Sequence, residues 1–198
     1  MDDDHTFPED HFKLCIQAVF SDPLSIWTTG EVIYVDDVFA GRFDTANQLH
    51  PSGVGIAPSD LDDNWAIADG STIYPVSVFQ NGYSMLEIYS YGSSYLEFGA
   101  FLYRHGYRSR CVKGANIIHH AGRETIDRMR KYNRDCVCSY IYASLAYNLY
   151  FQPSVTTAIC YLMSTLVRSR DPALLRKTPK IVRAVQQRWR NRSQNTGN

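Results

Sequence analysis

The chain opens Met1-Asp2-Asp3-Asp4-His5-Thr6-Phe7-Pro8, three adjacent carboxylates ahead of a proline. Adjacent acids repel one another, so a fold that gathers them needs a cation or a solvated end to relieve the charge. Carboxylate oxygens suit hard cations such as Mg²⁺ and Mn²⁺. If the acids end an extended strand, Asp2 and Asp4 point to one side and Asp3 to the other, because side chains alternate with period two. A metal shared by Asp2 and Asp4 can bind a diphosphate and stabilise the charge of a departing phosphate. The plainer alternative is an acidic, solvated terminus, and the local residues alone favour it.

The elements that must position these acids follow at once. Pro8 suits the first turn of a helix, and apolar Phe12, Leu14, Ile16, Val19 and Phe20 carry it towards Ser21-Asp22-Pro23. Glu31-Val32-Ile33-Tyr34-Val35 is rich in β-branched residues and predicts a strand. Residues 40–65 are rich in Gly, Pro, Asp and Asn and read as a long loop. A helix start is expected after Gly70-Ser71, although Ile73 to Leu86 is ambiguous. Tyr95 to His105 reads as a helix stopped by Gly106, and Ser109 to His120 as one strand or a strand pair.

Taken in order, these stretches resemble family 2 glycosyltransferases over residues 1–120. The family's Asp-x-Asp motif at a strand end, followed by a proline and a helix, matches Asp2-Asp3-Asp4 through Phe12. Its Gly-Gly or Gly-Ser segment matches Ala68-Asp69-Gly70-Ser71-Thr72. Its acidic helix running into Gly-Tyr matches Ser94-Tyr95-Leu96-Glu97 through His105-Gly106-Tyr107-Arg108, and its closing strand with a terminal His matches Asn116-Ile117-Ile118-His119-His120. No single element is specific; their order and spacing carry the likeness. It implies an α/β fold, an incomplete GT-A (Rossmann-like) nucleotide-diphospho-sugar transferase domain over 1–122, with a helical extension over 123–198. Departures accompany it. The family places nucleotide-binding strands ahead of Asp-x-Asp, where this chain has only Met1, which would then be an internal methionine of the strand. The family's Glu-Asp pair falls on Ser94 and Tyr95, and its helix arginine on Phe101.

The resemblance assigns roles residue by residue. Asp2 and Asp4 would hold Mn²⁺ or Mg²⁺, and Asp3 would contact the donor. His119 matches the family's terminal histidine, which in some members touches the metal or the diphosphate; the alternative is a satisfied strand-end histidine. Glu97 would be the general base that takes the proton of an acceptor hydroxyl, its apolar neighbours Leu96, Phe98 and Ala100 raising its pKa. Alternatively, it pairs with Arg104 or Arg108. Asp69 is the other candidate base, beside Gly70 and Ser71 where acceptors bind, with an N-cap role the preferred reading. His5, His11, His50 and His105 have no spacing that makes a site.

Composition bounds the rest. The 198 residues fit one domain plus an appendage, and 44% hydrophobic content can fill a core. Twenty basic and 20 acidic residues balance, which argues against a nucleic-acid partner. Cys15, Cys111, Cys136, Cys138 and Cys160 are odd in number with no Cys-x-x-Cys pair, so neither a zinc site nor a disulfide framework is expected, and the reducing cytosol is. No signal peptide is visible. Residues 136–167 carry no charge or histidine, and Pro153 divides them into two helices, each short for a membrane span. Buried helices are the first reading, and a hairpin in the membrane interface the second. The stretch from Arg168 to Arg192 is dominated by Arg and Lys, with Asp171 its one acid. Apolar Leu174, Leu175, Ile181, Val182, Val185 and Trp189 recur there near helical spacing, as in a helix lying on anionic lipid.

The expectation is therefore a metal-dependent, inverting glycosyltransferase fragment. Its donor would be a nucleotide-diphosphate sugar and its acceptor a saccharide or lipid-linked saccharide. Peripheral contact would be at the inner face of the plasma membrane. The rival is a non-catalytic remnant or interaction module of the same ancestry.

Overall fold

The computed structural model describes residues 4–68, 70–86, 88–89, 93–122 and 134–190. Asp2, Asp3, Asp69 and most of the charged stretch 124–134 lie outside the described residues. The fold is mixed α/β. Strand β1 (His5–Thr6) leads into α1 (His11–Ser21), followed by β2 (Ile26–Val35), β3 (Val38–Phe43), β4 (Gln48–Leu49), β5 (Gly55–Ile56) and β6 (Thr72–Ile73). Then come α2 (Val76–Gln80), α3 (Ser94–Arg104) and β7 (Ser109–Ala121). Helices α4 (Arg134–Ala146), α5 (Val155–Ser169) and α6 (Pro172–Arg190) complete it, with a π-helical turn at Tyr147–Phe151 continuing α4.

The main sheet has the order β1-β7-β2-β3, with β6 pairing β2 beside β3. β7 runs parallel to β2 and antiparallel to β1, while β3 and β6 run antiparallel to β2. The β2–β7 register shifts where Thr28 faces Cys111 but Gly30 faces Asn116, and Gly114 takes a φ of +82° within the extra residues. A Cβ on Gly30 would strike the Asn116 side chain and come within 2.7 Å of the Phe43 carbonyl, so the bulge requires glycine there.

Ile26 and Trp27, neighbours in β2, serve two separate cores. Trp27 joins Cys15, Val112 and Ala115 beneath α1. Ile26 joins the larger core, which gathers Leu96, Phe98, Phe101 and Leu102 of α3 with Ile141, Tyr142 and Leu145 of α4 and Leu174, Ile181, Val185 and Trp189 of α6. One apolar core thus takes residues from both sides of position 122. The uncharged stretch 136–167 supplies much of it through α4 and the π-turn, and Gln152-Pro153-Ser154 separates them from α5. The Ser154 hydroxyl caps α5 by accepting from Thr157 N at 3.3 Å. Among the described residues no helix is long and apolar enough to cross a membrane.

Several expectations change. α1 starts at His11 rather than at Pro8, whose carbonyl instead accepts from His11 N at 3.0 Å. No helix follows Gly70-Ser71. β-branched Thr72 and Ile73 pair with Thr28 and Trp27 instead, and the next helix begins only at Val76, after Pro75. The stretch 40–65 contains β4 and β5 and the end of β3. The basic tail is helical and amphipathic, but its apolar face is spent inwards: Leu174, Ile181, Val185 and Trp189 are buried, and Leu175 alone of that apolar set is well exposed. Leu174, Ile181, Val185 and Trp189 join the core with α4, so the apolar face of α6 is covered by the protein itself.

Candidate metal centre

The site grows from three strand ends. His5 on β1 lies directly opposite His119 on β7, so their side chains share one face of the sheet. On the other flank of β7, Ile33 of β2 faces His119, and Glu31 lies two residues before it on that same face. Asp4 continues the β1 ladder, its carbonyl accepting from His120 N at 2.8 Å.

His119 is held between two acids. Its Nδ1 is 2.7 Å from Glu31 Oε1, and its Nε2 is 3.2 Å from Asp4 Oδ2. The His5 ring meets the His119 ring edge-on at 4.7 Å, and His5 Nε2 is 3.8 Å from Asp4 Oδ1. Two arrangements satisfy such a pair of carboxylates. Either an imidazolium donates from both nitrogens, or Nδ1–H donates to Glu31 while Nε2 is left as a ligand. The second is the carboxylate–histidine–metal pattern, in which an acid behind the ring fixes its tautomer and aim. Ligand atoms of Asp4, His5 and His119 all lie within 4.8 Å of one another. Asp4 Oδ1 and His5 Nδ1 are buried without a hydrogen-bond partner among the described residues. The donor set therefore fits a divalent cation, and two imidazoles beside a carboxylate suit Mn²⁺ better than Mg²⁺.

Two residues of this centre went unassigned from sequence. The spacing of His5 to other histidines makes no pattern; the β1–β7 pairing brings it to His119. Glu31 read as an ordinary strand residue, and 88 positions separate it from His119. His120 points to the opposite face, where its Nε2 meets Thr6 Oγ1 at 3.1 Å.

The other candidate residues lie elsewhere. Ser71 is buried and Gly70 exposed at the mouth of a groove beside α1. Glu97 faces the larger core, with no solvent exposure. Neither Arg104 nor Arg108 is its partner in the ion pair. Arg188 of α6 is, with Nε 3.5 Å from Glu97 Oε1, while Arg108 pairs with Asp63 at 3.0 Å. Tyr142 and Trp189 turn polar groups towards the same carboxylate, and the Arg188 guanidinium lies 4.1 Å from the Phe101 ring centre. Burial pushes the Glu97 carboxyl up from its ordinary value, and Arg188 and the neighbouring donors pull it part of the way back. Burial, with the Glu97 charge beside it, also pushes the Tyr142 hydroxyl well up. As placed, Glu97 is an internal ion-pair partner sealed beneath α6.

No protein-family model matches the chain, and no curated protein matches its sequence.

Proposed function

We propose that the chain is of the GT-A, metal-dependent, inverting glycosyltransferase kind, taking a nucleotide-diphosphate sugar and a saccharide or lipid-linked acceptor. The observation that supports this best is the meeting of Asp4 with His119, 115 positions apart, at one end of the sheet with Glu31 behind the imidazole. Asp4, His119 and His5 would hold Mn²⁺ or Mg²⁺, with Asp2 the further ligand that the resemblance assigns. When bound, the ion supplies charge stabilisation to a departing diphosphate. Glu31 keeps the His119 proton on Nδ1 and so leaves Nε2 free. Acceptor deprotonation by Glu97 requires α6 to swing away. Asp69 beside Gly70 and Ser71 is the other group placed by the resemblance for that step.

Calorimetric titration with Mn²⁺ tests the centre. Binding is expected in the unaltered chain and lost in Asp4→Asn and in His119→Gln. Glu31→Gln should weaken it by about 10–100-fold, the usual cost of removing the acid behind a ligating histidine. Equal heats from all four proteins would leave His119 as a structural imidazolium and remove the metal.

The second reading, a non-catalytic remnant, is favoured by Ser94 and Tyr95 standing where the family has acids, and by the sealed Glu97. It predicts Mn²⁺ binding without sugar transfer from any nucleotide sugar.

We further propose that peripheral membrane contact runs through α5 instead of α6. Val155, Ile159, Met163 and Val167 form an exposed stripe at i, i+4 spacing, and exposed Arg168 and Arg170 follow it. Flotation with anionic vesicles at low salt is expected, and Ile159→Glu should abolish it. Flotation undiminished by that change rules out the stripe.

A further inference from the structure

A groove of about 610 Å³ lies between α1 and the segment entering β6. That size falls within the range of small-ligand pockets, about 300–1,000 Å³. Its walls are apolar: Phe12, Ile16 and Phe20 of α1 stand on one side, all three well exposed, with Val19 beside them and Ile73 of β6 across from them. An exposed row of three large side chains on one helix is costly in water unless something covers it.

The polar groups of the lining are nearly all accounted for. His11 Nδ1 donates to the Asn116 carbonyl at 2.9 Å, and its Nε2 lies 3.7 Å from Cys15 Sγ. The Thr29 hydroxyl donates to the Gly30 carbonyl at 3.3 Å. The Thr72 hydroxyl donates to the Ala68 carbonyl and accepts from Ala68 N, both at 2.8 Å. Ser71 differs: it is 8% exposed, and its Oγ is buried with no hydrogen-bond partner among the described residues. A buried hydroxyl left unpaired costs about 1–3 kcal/mol, which a ligand oxygen would recover. Among the described residues no Asp, Glu, Lys or Arg lines the groove, so none of them compensates a charged ligand there.

We propose that this groove binds an uncharged hydrocarbon chain carrying one hydroxyl or carbonyl oxygen, with that oxygen on Ser71 Oγ and the chain along Phe12, Ile16 and Phe20. The apolar walls exclude water from the chain, and the single unanswered hydroxyl fixes its polar end. The site uses none of the candidate metal-centre side chains, although Gly70 and Ser71 are also the residues that the glycosyltransferase reading gives to the acceptor; the probe experiment needs neither metal nor donor, so its failure leaves the metal test untouched.

The test uses the whole chain and the neutral fluorescent probe N-phenylnaphthylamine. Saturable binding of one probe per chain is expected, with displacement by decanol. Undecane, of the same length without the hydroxyl, should displace about fivefold less well, the worth of one net hydrogen bond. Decanoate should compete poorly. Ser71→Ala should erase the preference for decanol over undecane. Ile16→Glu, at an exposed position that leaves the fold intact, should weaken the probe at least tenfold. Three results would each overturn the proposal: binding that never saturates, undiminished binding in Ile16→Glu, and a self-associated chain by sedimentation that Ile16→Glu converts to monomer, which assigns the α1 face to a second copy.

Discussion

Arg188→Met is expected to destabilise the fold by about 3–5 kcal/mol at neutral pH, because it leaves the Glu97 carboxylate buried and unpaired. The geometry makes this one of the largest single-residue effects in the molecule. Glu97 has no exposure, and Arg188 is packed over the Phe98 and Phe101 rings. The loss should depend on pH with a definite sign. Burial already raises the Glu97 carboxyl above its ordinary value, and removing the guanidinium removes the largest opposing influence. A group whose folded pKa is raised contributes its stability below the unfolded value and loses it as pH rises through the folded one. Arg188→Met should therefore be closest to the unaltered chain below the ordinary carboxylate range, and fall away as pH climbs above it. Urea unfolding at a series of pH values measures this. The double change Glu97→Gln with Arg188→Met should recover most of the loss, since the amide leaves no charge stranded in the core. A pH-independent loss, or no recovery in the double variant, would show that the ion pair is not what the site depends on. The same pair governs any test of Glu97 as a base. Glu97→Gln alone strands the Arg188 cation, so its turnover would fall through instability. Only the double variant separates chemistry from folding.

The sequence makes part of this arrangement readable and hides part of it for physical reasons. α3 was legible because its apolar spacing ends at Gly106, whose φ of +93° is the left-handed stop that glycine supplies most cheaply. The break before α5 was legible in Pro153-Ser154, and β7 in its run of β-branched and apolar residues. The β2–β3 hairpin was not, because its turn is Asp36-Asp37 with φ of 48° and 63° and contains no glycine to announce it. Asp69-Gly70-Ser71 has the composition of a helix cap, which hides β6, yet Thr72 and Ile73 find partners on β2. The candidate metal centre was half visible. Asp4 and His119 could be picked by residue type and by resemblance, whereas His5 and Glu31 enter only through strand register, which no local pattern encodes. Arg104 and Arg108 are the cations nearest to Glu97 along the chain, yet its partner comes from α6. One signal was available: Arg188 falls seven positions after Ile181 and three after Val185, on the buried side of that helix, where an arginine needs a counter-charge.

Ending the chain at Gly122 is expected to abolish cooperative folding, although the resemblance draws its boundary there. The reason lies in the core. Removing α4 to α6 uncovers Leu96, Phe98, Phe101 and Leu102, which now pack against Ile141, Tyr142, Val185 and Trp189. At about 1.5–3 kcal/mol for each large side chain returned to water, these four alone cost about 6–12 kcal/mol, comparable to the whole stability of about 5–15 kcal/mol that a domain of this kind possesses. The Pro51 turn is bound into the same seam: its carbonyl accepts from Ser144 Oγ and from Asn148 Nδ2, each at 2.7 Å. Gly53 sits in that turn at a φ of +88°, and a Cβ there would strike the Tyr140 carbonyl of α4. Gly53→Ala therefore meets both an unfavourable backbone conformation and an immovable backbone atom, and should lower the unfolding midpoint far more than Gly82→Ala, whose φ is +70° with open space around it. Circular dichroism melts of the 1–122 fragment and of the two glycine variants provide the comparison. A sharp transition in the fragment, or equal melting of the two variants, would mean that the helices after 134 are an appendage and not part of the domain that carries the Asp4–His5–His119 cluster.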